Sequence, residues 1–180
     1  MADKPPPSLD DAHKRLFDEG LKIRYEVAGK PYVDRSLLSA SFFTKPMQEL
    51  VTEACWGSVW SRPGLERKQR SLLNIGMLCA LNRGAELAVH VRGGVNNGLT
   101  EIEIREALLQ VSIYVGMPAG LEGFRIAEKV LREIQEEKAH PSHVYSLCLL
   151  WITAGMLAMP ITHSPSMGAH KASIKAHYYA

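Results

Sequence analysis

The stretch that decides the fold class is residues 56–127, WGSVWSRPGLERKQRSLLNIGMLCALNRGAELAVHVRGGVNNGLTEIEIREALLQVSIYVGMPAGLEGFRIA. Its apolar residues recur at intervals of three and four rather than two, which is the helical period. Groups of Gly, Pro and Asn interrupt this pattern at 62–64, at 96–98 and at 116–118. Helices separated by such stops, with nearly no strand signal, predict an all-α fold.

The rest of the chain extends this pattern to about six helices. Ser8 or Asp10 can cap the first helix, and Thr100 with Glu103 forms a capping box for the fifth. After Ser71 the third helix is apolar nearly all round, which is typical of a helix buried in a core. The predicted helices are 8–27, 45–60, 66–81, 84–96, 100–115 and 119–137.

Composition narrows the class of protein. The chain has 180 residues, 46% of them apolar, and a net charge of +2; this supports one globular core and argues against a nucleic-acid-binding protein. The three cysteines include no CxxC pair, so a reducing compartment without disulfides is expected. The first residues lack a hydrophobic segment, so we expect no secretory signal and a cytoplasmic protein.

The last 40 residues differ from the rest. All 19 acidic residues precede position 141, whereas four of the seven histidines follow it. Residues 144–159 are uncharged and mostly apolar, but as a helix they would span only ~24 Å of a ~30 Å bilayer core. Three interpretations of this segment stay open. It is a buried or interface helix, a membrane anchor, or sequence produced by a frame shift or a retained intron; its short length disfavours the anchor. We therefore predict a helical domain over 1–140 and an atypical tail over 141–180, and whether the tail belongs to that fold stays open.

The candidate chemistry centres on Glu86 and His90. Four residues apart on one helix, they share a face. Such pairs are common on solvated faces; the alternative is an acid/base pair in which the carboxylate orients the imidazole and raises its pKa. No HxxxH, HxH or CxxC accompanies them, so no metal is expected. Around the pair lie arginine and aromatic residues that could bind a small organic anion. Each of them also has a structural explanation, such as core packing or a surface ion pair. These residues are Trp56, Trp60, Arg62, Arg70, Arg83, Arg92 and Tyr114.

Four motifs add a resemblance to these observations: WGSVWSRPGL, RSLLNIGMLCALNR, ELAVHVRGGVNNGLT and EIREALLQVSIYVGMPA. Over residues 10–138 the chain resembles the γ-carboxymuconolactone decarboxylase family. The resemblance implies an alkylhydroperoxidase D-like helical fold and a homo-oligomer, often a hexamer. It also implies cofactor-free decarboxylation of 4-carboxymuconolactone to the β-ketoadipate enol-lactone, in the protocatechuate branch of aromatic catabolism. The expected partner is thus a small anionic lactone, with neither nucleic acid nor membrane.

The peroxidase relatives of this family carry CxxCxxxH on the corresponding helix. Here His90 matches the histidine, while Arg83 and Glu86 occupy the two cysteine positions, which disfavours a thiol peroxidase. A catalytically silent oligomeric module is the other alternative.

For the decarboxylation we expect His90 to donate a proton and stabilise the dienolate, with Glu86 orienting it. Arg62 is the first candidate to bind the remaining carboxylate, and Arg70 is the second. Trp56 would exclude water from the carboxylate that leaves. Tyr114 is a candidate second donor.

Overall fold

Eight consecutive helical elements make up the described part of the chain, residues 8–140 of a computed structural model. Over these residues there is no strand, so the predicted all-α class is confirmed. The elements are α1 (Leu9–Ala28), α2 (Lys30–Leu38), α3 (Lys45–Leu50), a π-helical segment (Val51–Val59), α4 (Arg67–Ala80), α5 (Gly84–Asn96), α6 (Glu101–Val115) and α7 (Met117–Ala139).

The predicted starts of the first and fifth helices, which are α1 and α6 of the structure, are confirmed by their caps. The Ser8 hydroxyl accepts from the Asp11 amide at 3.1 Å, and the Thr100 hydroxyl accepts from the Glu103 amide at 3.2 Å. In both capping boxes the third residue's carboxylate accepts in return from the capping amide. These bonds satisfy backbone donors that a helix cannot satisfy itself, and so fix where α1 and α6 begin.

Two predictions about the N-terminal half need correction. Gly29, at φ +85°, ends α1 as expected, but a further helix, α2, follows at once with Pro31 in its first turn. Proline is well tolerated there, so it marks a start as readily as a stop. The predicted helix 45–60 has the right extent, but its second part is π-helical, and the Trp60 amide donates to the Cys55 carbonyl at 3.0 Å.

The main core lies between α4, α5, α6 and α7. Ile75 and Val91 are completely buried at its centre. The prediction that α4 is a core helix on all sides is wrong within this chain: Leu73 and Met77 are each 53% exposed. The buried core residues are Ile75, Cys79, Leu87, Val91, Leu99, Ile104, Leu108, Val111, Ala127, Val130 and Ile134.

The π-helical segment crosses α1 at very close range. A Cβ added to Gly20 would lie 2.1 Å from the Thr52 carbonyl oxygen, and one added to Gly57 would lie 2.3 Å from the Leu16 carbonyl oxygen. Only glycine permits such backbone contact. Beside the crossing, the buried Arg24 guanidinium donates to the Thr52 hydroxyl at 3.0 Å. This crossing sets the position of the tryptophans that follow.

The predicted tail, residues 141–180, lies outside the described residues, and so do the first seven. None of the helices within residues 8–140 has the length and apolar character needed to cross a membrane.

Candidate active site

The hairpin of α4 and α5 places His90. The chain reverses at Leu81–Arg83, where Asn82 has φ +53°. The two helices then run antiparallel, and farther along the hairpin the Asn97 side-chain nitrogen donates to the buried Ser71 hydroxyl at 2.9 Å. His90 therefore projects from the middle of a helix whose neighbour is fixed by packing and by hydrogen bonding.

An aromatic wall formed by Trp56 and Trp60 borders the His90 imidazole. The Trp56 ring centroid lies 6.3 Å from that of the imidazole with 7° between their planes, and the Trp60 centroid lies 6.2 Å away at 27°. The two indoles are 4.9 Å apart, and both are nearly buried. These separations are typical of offset aromatic contacts. The structure thus brings Trp56, Trp60 and His90 together, as the sequence predicted.

The hydrogen-bond partner of His90 is a residue that the sequence reading missed. The Asn74 side-chain nitrogen lies 3.3 Å from His90 Nδ1. Asn74 and His90 are equidistant in sequence from Asn82, the turn residue of the hairpin. Pairing the two predicted helices about that turn would have placed Asn74 opposite His90.

Burial and charge act in opposite directions on His90. Burial lowers the pKa of the imidazole below its ordinary value, and the nearby Glu86 carboxylate opposes this with a smaller raising effect. The raising effect expected of Glu86 is thus confirmed, but the net shift of the His90 pKa is downward, because desolvation disfavours the charged ring more strongly. At neutral pH the imidazole of the free protein is mainly uncharged.

Glu86 itself is exposed, and no hydrogen bond joins its carboxylate to His90 among the described residues. Its influence on the imidazole is electrostatic. Its orienting role in catalysis stays a prediction.

Arg62 and Arg70 meet through the main chain. The Arg70 guanidinium donates from Nη2 to the Arg62 carbonyl oxygen at 3.0 Å, while its Nε is buried and has no hydrogen-bond partner within residues 8–140. The Arg62 side chain is exposed. The buried Nε of Arg70 is a donor without an acceptor in the described residues, which is energetically costly. Which of the two arginines holds a substrate carboxylate stays a prediction.

The remaining predicted residues lie elsewhere. Tyr114 is 79% exposed on α6, and Arg83 is exposed at the start of α5. Arg92 lies 3.4 Å from the Glu133 carboxylate on α7. Nothing in the described residues joins these three to His90, and the substrate contact of Tyr114 stays a prediction.

Comparison with known proteins identifies the relatives of this chain. Residues 45–129 match the profile of the carboxymuconolactone decarboxylase family. The chain is 48% identical over 128 residues to nitrosuccinic acid decarboxylase of Metarhizium robertsii, covering 71% of this chain and 90% of that protein. It is 42% identical over 121 residues to 4-carboxymuconolactone decarboxylase of Acinetobacter baylyi, covering 67% and 90%. An uncharacterized 15.0 kDa protein of Paracoccus denitrificans is 32% identical over 136 residues, covering 72% and 100%.

The chain belongs to the carboxymuconolactone decarboxylase family. Two of these relatives are decarboxylases, and this supports a decarboxylase of the same type. The matched region contains His90, both tryptophans beside it, Asn74 and Arg70.

The two cysteines within residues 8–140 do not form a peroxidase pair. Cys55 and Cys79 are free thiols on different elements, and burial raises the pKa of each. A raised pKa keeps a thiol protonated and unreactive. Cys79 adjoins a cavity of about 60 Å³ near Arg83, well below the roughly 300–1,000 Å³ of a typical ligand pocket.

Within residues 8–140 no three His, Cys, Asp or Glu side chains cluster as metal ligands would.

Proposed function

We propose that this protein catalyses the cofactor-free decarboxylation of 4-carboxymuconolactone to the β-ketoadipate enol-lactone. The observation that carries the proposal is the partly buried His90 imidazole, stacked beside two indoles and hydrogen-bonded to the Asn74 side chain, in a member of this family. Nitrosuccinic acid is the second candidate substrate, favoured by the 48% identity to a decarboxylase of that compound.

The two candidate substrates share their reacting chemistry. In each, one carbon carries both the carboxylate that leaves and a carboxymethyl group that stays. In each, an adjacent acceptor takes up the electron pair of the broken C–C bond: the unsaturated lactone becomes a dienolate, and the nitro group becomes a nitronate. A proton then adds to carbon, at the α-carbon of the lactone or at the carbon that bears the nitro group. One kind of site can therefore serve either compound.

A neutral imidazole at His90 fits this chemistry. Its N–H can donate a hydrogen bond to the oxygen on which negative charge develops, which stabilises the transition state more than the substrate. Once the anion has formed, its charge raises the pKa of the imidazole, which can take up a proton from solvent and pass it to carbon. The indoles of Trp56 and Trp60 keep water from the leaving carboxylate, so that neutral CO2 is favoured over the charged acid.

The carboxymethyl group that remains needs a cation. The Arg70 guanidinium, with its buried unsatisfied Nε, supplies one, and the exposed Arg62 can approach from the 61–66 turn. Arginine holds carboxylates with paired, charge-assisted hydrogen bonds. Anchoring this arm would fix which carboxylate lies beside His90.

A direct assay tests the proposal. Purified protein is given each candidate acid in turn without added cofactor, and CO2 release and substrate loss are followed. Turnover of the lactone, unaffected by thiol alkylation, supports the proposal. Turnover of nitrosuccinic acid alone would transfer the function to the second candidate. Thiol-dependent peroxide reduction without decarboxylation would refute both, and no activity at all would favour the silent module.

We also propose that the protein assembles as a homo-oligomer, the state that the family resemblance implies. Large apolar side chains are exposed on the mutually packed α4 and α6 and on the start of α7. Exposed apolar surface of this kind marks an interaction site in a soluble protein. The residues concerned are Leu73, Met77, Ile113, Tyr114, Met117 and Leu121. Light scattering coupled to size exclusion measures the assembly directly.

A further inference from the structure

We propose that Asn74 is a positioning residue for His90: its side-chain amide fixes the imidazole in the tautomer that carries its proton on Nε2. The inference rests on the proposed function, in which His90 is the group that meets the developing anion. Neither the sequence motifs nor the relatives' names assign a role to Asn74.

The atoms at the contact decide the tautomer. The Asn74 side-chain nitrogen, 3.3 Å from His90 Nδ1, can only donate. Nδ1 must therefore accept, and in a neutral imidazole the proton then lies on Nε2. Asn74 thus leaves the donor of His90 at the ring nitrogen farther from the backbone of α5.

The other neighbours of His90 do not select a tautomer. The indoles of Trp56 and Trp60 contact the ring through its π face, where Nδ1–H and Nε2–H forms look alike. Glu86 is exposed and acts through its charge. Of the side chains in the described part of the chain, Asn74 is the one that makes a hydrogen bond to the imidazole.

An amide at this position has a different effect from a carboxylate. An aspartate of the same shape would accept a hydrogen bond, draw the proton to Nδ1 and stabilise the imidazolium. An asparagine holds the ring neutral with its donor on Nε2, the form that can stabilise an oxyanion. For histidines that bind a metal, loss of the group that orients the ring through its second nitrogen typically costs 10- to 100-fold in affinity or activity, and we expect an effect of this size for Asn74.

The test uses Asn74→Asp, which reverses the hydrogen bond, and Asn74→Leu, which removes it. Ser71→Ala is the matched control, because it removes the Asn97–Ser71 bond between the same two helices without touching His90. Two readouts are combined: the tautomer of His90 from ¹H–¹⁵N correlation spectra of ¹⁵N-histidine-labelled full-length protein, assigned with His90→Gln, and kcat with KM for decarboxylation.

We expect wild type and Ser71→Ala to carry the proton on Nε2, Asn74→Asp to carry it on Nδ1, and Asn74→Leu to show a mixture. With an active substrate, kcat should fall about 10- to 100-fold in both Asn74 variants and little in the control, with KM nearly unchanged. A wild-type proton on Nδ1, an unchanged tautomer in Asn74→Asp, or a wild-type kcat in Asn74→Leu would overturn the inference. If the tautomer switches but wild type turns over neither acid, the positioning role stands and the proposed function fails.

Discussion

Replacing Gly57 with alanine tests whether the close crossing of α1 and the π-helical segment holds the aromatic wall in place. The added Cβ would lie 2.3 Å from the Leu16 carbonyl oxygen and 3.0 Å from its carbon, whereas ordinary contact begins near 3.4 Å. Because these are backbone atoms, no side chain can rotate away, and the two helices must separate by about 1 Å.

The cost of this separation can be worked out from the contact. Overpacking costs about 1–3 kcal/mol, and a clash with backbone belongs at the upper end of that range. The better helix propensity of alanine offsets up to about 1 kcal/mol. The net loss of about 2 kcal/mol corresponds to a fall in Tm of about 4–8 °C for a chain of this size. Trp56 immediately precedes Gly57, so the displaced segment also carries the wall away from His90, and kcat should fall with Tm.

The assay compares thermal melts by circular dichroism and decarboxylation rates for wild type, Gly57→Ala and Gly64→Ala. Gly64 is the matched control, since a Cβ there has no atom within 4 Å. If Gly57→Ala melts no lower than Gly64→Ala, the helix crossing tolerates a methyl group and the energetic reasoning is wrong. If its Tm falls but its kcat does not, the crossing stabilises the fold without positioning Trp56.

Four further changes address the site and the assembly. His90→Gln should lower kcat by ~10²-fold or more, and near-wild-type turnover would remove His90 from the mechanism. Burial lowers the pKa of His90. The stability of wild type relative to His90→Gln should therefore be fully present above about pH 6.5 and diminish as the pH falls, because the unfolded chain binds the proton more readily. Thermal melts of the two proteins across this pH range check the prediction. Arg70→Ala should raise KM by an amount that corresponds to a loss of roughly 1.5–3 kcal/mol of substrate binding, and Arg62→Ala should raise it less. If Arg62→Ala raises KM as much or more, Arg70 is not the main ligand of the substrate carboxylate. Ile113→Glu should abolish the proposed homo-oligomer, as judged by light scattering, while Gln110→Glu on the same helix should leave it intact.

Local signals in the sequence were sufficient for most element boundaries. Ser8 and Thr100 cap helices through their own side chains, and Gly98 and Gly116 adopt positive φ where the helices stop. Such features depend on a few neighbouring residues and can therefore be read from the sequence.

Features that depend on distant contacts could not be predicted in this way. The π-helical hydrogen bonds of Val51–Val59 form where Gly57 packs on the backbone of α1, and no local propensity distinguishes them from α-helical ones. Leu73 and Met77 were also misjudged, since both are exposed in this chain. An apolar side chain predicts burial, but the sequence does not say whether the covering surface belongs to the same chain.

In the candidate site, too, some features could be predicted from the sequence, and those that depend on distant contacts could not. The nearness of both tryptophans to His90 was predicted from residue types and motifs, whereas their stacking on the imidazole was not. The net pKa direction of His90 did not, because the sequence displays the charge of Glu86 but not the extent of burial. Asn74 carries no catalytic signature of its own, and only the pairing of α4 with α5 gives it a role.

The pair of indoles beside His90 has a consequence for how the site can be observed. Trp56 and Trp60 are two of the three tryptophans in the chain, so a Trp151→Phe variant would confine all indole emission to this site. A protonated imidazole quenches the fluorescence of a neighbouring indole much more than a neutral one. Emission recorded against pH would then follow the charge on His90 itself, and emission recorded against added acid would follow its arrival, both without any turnover. The protein therefore carries its own optical probe at the place where the chemistry is proposed to occur.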